Sequence, residues 1–171
     1  MKRRRRSVDA EGSQASAPRF QTLLVDGYSL LHRDPEMKAM LDRDVGLARQ
    51  LLVRRIERIA PDLASETKVV FDGTGKGDGE AYDTSLTILF APERHTADTI
   101  IERLVHTHPA PTRVLVVTSD RMERQTVEAA GAETMSCGDF LRRDRAAAAT
   151  TPFRKRRKGA TLGDFFPPMP E

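Results

Sequence analysis

Three short apolar runs each end on an aspartate, and that repetition constrains the fold of this chain more than any other feature. Leu23-Leu24-Val25 stops at Asp26-Gly27, Val69-Val70-Phe71 at Asp72-Gly73, and Val114-Leu115-Val116-Val117-Thr118-Ser119 at Asp120. Short β-type runs closed by Asp or Gly read as strands. If they lie parallel in one sheet, their carboxyl ends line one rim, where open α/β sheets place their ligands. Carboxylates gathered there repel one another unless a cation or shared protons offset the charge. A hard divalent ion, Mg²⁺ or Mn²⁺, is the economical answer because it prefers oxygen ligands.

The chain has 171 residues, 39% of them hydrophobic, which suits one globular domain with tails and leaves no room for a second large core. A single cysteine, Cys137, excludes an internal disulfide framework and a cysteine-rich zinc site, so a reducing cytoplasm is the expected compartment. The basic start, Lys2 to Arg6, is followed by Ser7, Asp9, Glu11, Ser13 and Gln14 where a signal peptide needs an apolar stretch. No run approaches the roughly 20 apolar residues of a membrane span, so no membrane partner is expected. The net charge of +3 is unevenly placed: residues 1–19 carry six Lys/Arg against two acids and residues 146–171 carry five against two, leaving the middle negative. Such tails suit RNA phosphates, solubility or an acidic protein partner.

Residues 1–19 lack a hydrophobic period and are expected to form a disordered basic tail, with the domain spanning 20–145. After the first strand, Pro35 opens a short helical turn. Val45, Ala48, Leu51, Leu52, Val53, Ile56 and Ile59 then recur at helical spacing up to Pro61. Arg49, Arg54, Arg55, Glu57 and Arg58 fall on the solvated face of that helix. Strand two ends at Phe71 and leads into Gly73-Thr74-Gly75-Lys76-Gly77-Asp78-Gly79, which lacks P-loop spacing and reads either as a mobile loop or as a lysine-bearing loop able to fold over a polyanion. Strand three, Leu86 to Phe90, follows after a crossover short for a βαβ unit. Thr96 caps the next helix, whose buried stripe is Ile100, Ile101, Leu104 and Val105. Asp98 and Glu102 lie one turn apart; an acid in a first turn is explained by the helix dipole, yet Asp98 starts a helix that points back at the rim of Asp26 and Asp120. Asp120 and Glu123 form a capping-box-like pair, and Gly131 suits the helix end. His106 and His108 lack partners at metal spacing and read as surface. A fifth strand, Ala132 to Met135, precedes a helix capped by Ser136 with Phe140 and Leu141 inward. The fold is expected to fade near Arg145, leaving 146–171 as a disordered tail with a basic cluster, Arg154 to Lys158, and Phe165-Phe166, a segment suited to docking on a protein.

Leu24-Val25-Asp26-Gly27-Tyr28-Ser29-Leu30-Leu31, Val70-Phe71-Asp72-Gly73, Ala97-Asp98-Thr99-Ile100-Ile101-Glu102 and Val117-Thr118-Ser119-Asp120, in this order, resemble the YacP-like branch of the NYN domains, within the PIN-like nuclease superfamily. The resemblance covers about residues 20–145 and implies an α/β, Rossmann-like three-layer αβα sandwich with a mostly parallel sheet of about five strands. It also implies endoribonuclease activity at an acidic pocket, with Asp26, Asp98 and Asp120 as catalytic, metal-binding acids and Asp72, on the same rim, as a further metal-site residue. The family usually has Asn where Ser29 stands, so the pocket is expected to be retuned. On this reading Mg²⁺ or Mn²⁺ activates water to hydrolyse RNA, including ribosome-associated mRNA. Ser29, Lys76, Arg94, His95 and Arg121 contact the substrate, and the tails add charge. With 5% aromatic residues, stacking is not expected to dominate recognition. The rival readings are a catalytically weak module that binds RNA or the translation machinery, a phosphatase suggested by Phe71-Asp72-Gly73-Thr74 but lacking a second Asp at Val70, and a structural α/β domain.

Overall fold

Strands with apolar residues on both sides need cover on both faces, and the computed structural model, which describes residues 17–73 and 82–150, has it. The elements run β1 (Phe20–Asp26), α1 (Gly27–Arg33), α2 (Pro35–Leu41), α3 (Val45–Leu63), β2 (Ala64–Phe71), β3 (Thr87–Phe90), α4 (Ala97–His106), β4 (Val114–Val117), α5 (Arg121–Ala129), β5 (Glu133–Met135) and α6 (Cys137–Thr150). The five strands form one parallel sheet in the order β3-β2-β1-β4-β5. From β1 the chain steps outward through β2 to β3, then returns to place β4 on the other side of β1. The switch point, where such a sheet opens a crevice, lies between the carboxyl ends of β1 and β4.

Side-chain alternation sorts the core into two layers. Leu23, Val25, Val69, Phe71, Leu115 and Val117 pack with Leu30, Leu52, Ile56 and Phe140 under α1, α2, α3 and α6. Leu24, Val70, Val114 and Val116 pack with Ile101, Val105 and Val127 of α4 and α5. The result is the expected three-layer αβα sandwich with five parallel strands. Among the described residues, the β2–β3 connection contains no helix.

Three local expectations change. The helix α3 passes Pro61 and ends at Leu63; proline removes one donor, which is tolerable in a last turn whose end is closed by Ala64 N–H on the Ala60 carbonyl. The helix α6 runs beyond Arg145 to Thr150, because the alanines there are the strongest helix formers and Ala147 rests against the core. Arg49 is buried rather than solvated, at 8% exposure. Its guanidinium lies 5.2–5.6 Å from the ring centres of Tyr28, Phe71 and Phe90 and donates to the Tyr28 hydroxyl at 2.6 Å. Ring faces offset part of the desolvation of that cation.

Candidate functional site

Asp26 ends β1 and caps α1, so one residue closes a strand and opens a helix. It is 6% exposed. Ser29 holds it from one turn on: the Ser29 N–H donates to Oδ1 at 3.2 Å and the Ser29 hydroxyl to Oδ2 at 2.6 Å. Ser29 thus positions the acid, and it also lines the cleft beside it. Between them Gly27 is required by space, since a Cβ there would lie 2.3 Å from the buried Phe71 ring.

Asp98 is brought in by the start of α4. Thr96 caps that helix through the Thr99 N–H at 3.3 Å, and Asp72, at the end of β2, accepts from the Ala97 N–H at 2.6 Å. Asp72 therefore clamps the residue next to Asp98, and its side chain works as a helix anchor on the rim. At the end of β4, Asp120 accepts from the N–H groups of Met122 at 2.7 Å and Glu123 at 3.0 Å. A full capping box would return the Glu123 carboxylate to the Asp120 N–H, but that N–H donates to Thr118 Oγ1 at 3.0 Å. Released from capping, Glu123 turns inward.

This inward turn is what sequence reasoning missed. One carboxylate oxygen from each of Asp26, Asp98 and Glu123 lies within 4.8 Å of the other two. Asp120 stays exposed at the edge of the trio, close enough to act on Asp98 and Glu123 by its charge. Glu123 is 2% exposed, and neither of its oxygens has a partner in full hydrogen-bond geometry among the described residues. A buried carboxylate of that kind costs several kcal/mol unless it is protonated or paired. Burial pushes Glu123 up to about 8, tempered by the nearby Thr118 hydroxyl and reinforced by Asp26, Asp98 and Asp120. Burial also raises Asp26, against the two Ser29 hydrogen bonds and with help from Asp72. Asp98 is raised by burial first, then by Asp26, Asp120, Asp72 and Glu102. An all-carboxylate donor set, close-spaced, its acids raised by burial and by one another, and holding a buried acid without a full hydrogen bond among the described residues, fits a hard divalent cation whose charge would offset theirs.

A cleft of about 620 Å³ opens beside the trio, lined by Asp26, Tyr28, Ser29, His32, Arg33, Asp72, Gly73 and Ser119. Sequence reasoning passed over His32 and Arg33, although they stand three and four residues after Ser29 and so share its helix face. Arg94 and His95 sit in the exposed loop before α4, and Arg121 is the exposed first residue of α5, all at the carboxyl-end rim. Their side chains form no hydrogen bond or ion pair among the described residues. Lys76 and the remainder of the glycine-rich loop lie outside the described residues, as do the basic clusters of both tails and Phe165-Phe166. His108 is structural: one ring nitrogen accepts from Ala110 N–H at 3.0 Å and the other meets the Thr22 hydroxyl at 3.2 Å. No described helix is long and apolar enough to cross a membrane.

The chain has relatives that share this arrangement of elements. A family model described as the YacP-like NYN domain matches residues 23–160. The Bacillus subtilis (strain 168) protein named "Uncharacterized protein YacP" is 29% identical over 123 residues, which is 70% of this chain and 72% of that protein. The crystal structure of Rae1 (YacP) from Bacillus subtilis is 26% identical, with a TM-score of 0.63 over 76% of each chain. A mutant form of Rae1 gives 27% identity and a TM-score of 0.62 over 75% of this chain and 77% of that one.

Proposed function

The chain belongs to the YacP-like NYN domain family, and from that membership and its acidic centre we propose that it is a metal-dependent endoribonuclease. The observation that carries the reading is Glu123, buried at 2% exposure, without a partner in full hydrogen-bond geometry among the described residues, and with one carboxylate oxygen within 4.8 Å of one from each of Asp26 and Asp98. Asp26, Asp98 and Glu123 would hold Mg²⁺ or Mn²⁺, with Asp120 at the edge of the set. The chemistry such an ion supplies when bound is Lewis acidity, which acidifies water at neutral pH and offsets charge on phosphate oxygens. The protein's part is to fix the acids. Ser29 sets the rotamer of Asp26, Asp72 fixes the start of α4 under Asp98, and Asp120 fixes the start of α5 under Glu123.

Cations for the substrate backbone come from Arg33 in the cleft and from Arg94 and Arg121 at the rim, with His95 as a further donor and Lys76 added on the sequence alone. The basic tails would add charge that is independent of sequence. RNA, including mRNA on the ribosome, is the proposed substrate, the cytoplasm the proposed compartment, and Phe165-Phe166 the proposed contact for a protein partner. The test is cleavage of end-labelled RNA by the full chain in Mg²⁺ or Mn²⁺, beside EDTA and Asp26→Asn. Cutting that needs the metal and is lost in the variant supports the reading. RNA bound but left intact in both metals overturns it and favours the binding module, the alternative that Ser29 in place of the usual Asn keeps in view.

A further inference from the structure

Composition argues against stacking in this chain, yet two of its few rings stand together in the cleft. Tyr28 and His32 are one turn apart on α1, their ring centres 6.2 Å apart and their planes inclined by 31°. Both line the space into which Asp26 and Arg33 also open. His32 is exposed and Tyr28 half-buried.

Tyr28 is held from behind with unusual firmness. Its hydroxyl accepts from the buried Arg49 at 2.6 Å, and its ring meets Phe71 edge-on at 5.7 Å and 81°. Phe71 in turn stacks on Phe90 at 5.7 Å, and Arg49 lies over Tyr28, Phe71 and Phe90. An arginine buried to 8% exposure, with its Nε unpartnered among the described residues, is a costly way to support an ordinary surface tyrosine. It is reasonable support for a ring that must keep one orientation when something docks on it, because a fixed ring loses little entropy on binding.

We propose that Tyr28 and His32 form a nucleobase subsite, with Arg49 as the positioning residue that locks Tyr28. This rests on the nuclease reading for what enters the cleft. A phosphate directed to the acidic centre and to Arg33 leaves its own or a neighbouring base at the aromatic wall. Stacking requires that base to be unpaired and splayed from its neighbours. The subsite tolerates any base, since each has a π-face, and favours purines for their larger area.

The test uses the full chain with Ca²⁺ offsetting the acidic centre and short single-stranded oligoribonucleotides carrying 2-aminopurine at each position in turn. The fluorescence of 2-aminopurine falls when it stacks. Saturable quenching at one or two positions is expected with the wild-type chain, with Kd raised about tenfold by His32→Ala and by Tyr28→Leu and largely restored in His32→Phe. His32 is exposed, so its variants report on the subsite even where Tyr28→Leu fails to fold. No quenching by the wild-type chain, or quenching unchanged in both His32→Ala and Tyr28→Leu, overturns the subsite. The same oligonucleotides in Mg²⁺ separate the two readings: cutting without ring-dependent quenching retains the nuclease and removes the subsite. Ring-dependent quenching without cutting retains the base contact and removes the nuclease.

Discussion

Two aspartates bracket α1, and the protein treats them in opposite ways. Asp34, at the far end, is 3% exposed and answered on every side. It accepts from the N–H groups of Glu36 and Met37 and pairs with Arg55 at 2.9 Å, with Arg145 at 3.9 Å. Nearby, buried Asp144 pairs with Arg58 at 3.0 Å. Asp26, at the near end, is about as buried but faces two further carboxylates, with no basic side chain hydrogen-bonded to it among the described residues. Arginines are not scarce in this chain. Among the described residues none is hydrogen-bonded to or ion-paired with the acidic trio, whereas the acids around Asp34 are neutralised within the protein, and on the proposed function a cation would take the arginines' place.

Breaking each cluster should therefore give opposite results. Asp26→Asn is expected to lower RNA cleavage by at least about 100-fold, the scale for losing one preorganised electrostatic group, while leaving the melting temperature of the metal-free protein close to wild type. Asp34→Ala is expected to cost about 2–3 kcal/mol in denaturant unfolding, from a lost N-cap and a broken buried pair, with cleavage per folded molecule retained. If Asp34→Ala removed cleavage as thoroughly as Asp26→Asn, the division between structural and functional acids would fail.

Glu123→Gln sharpens the contrast within one molecule. It keeps the volume and removes the cost of burying an acid that burial pushes up to about 8 and that is ionised in the unfolded chain, so at neutral pH the metal-free protein should gain about 1 kcal/mol, the usual return for relieving a strained functional site. Cleavage should fall with it. A variant that is less stable than wild type without metal would show that the trio is held by protons in a structural arrangement.

How much of this was legible beforehand follows from the range of each signal. Asp26 and Asp98 could be placed because a strand end and a helix start are local patterns, and a parallel sheet puts such ends on one rim. Glu123 could not, because an acid three residues after an N-cap is already explained by capping. The fact that defeats that explanation, Thr118 taking the Asp120 N–H, depends on a single backbone geometry. Asp72 was legible as a rim residue but not as the anchor of Ala97, a contact across 25 positions. Arg49 was misplaced for a related reason: helical spacing shows which face a residue is on, and only packing shows that aromatic rings from α1, β2 and β3 converge there.

The smallest expected effect is also the most diagnostic of the paired cluster. Burial alone would raise Asp34, but the Met37 N–H, the Arg55 side chain and the Glu36 N–H outweigh it, and its carboxyl sits below the ordinary 3.8. A folded value below the unfolded one means that the unfolded chain binds the proton more readily, so the stabilisation is complete above pH 4 or so and is lost as pH falls through the folded value. Unfolding of wild type and Asp34→Asn, compared at neutral pH and again at about pH 3, should show a gap that narrows in acid. A gap that stayed constant would mean that Asp34 acts only through its volume and its capping oxygen, and that the arginines beside it contribute nothing measurable.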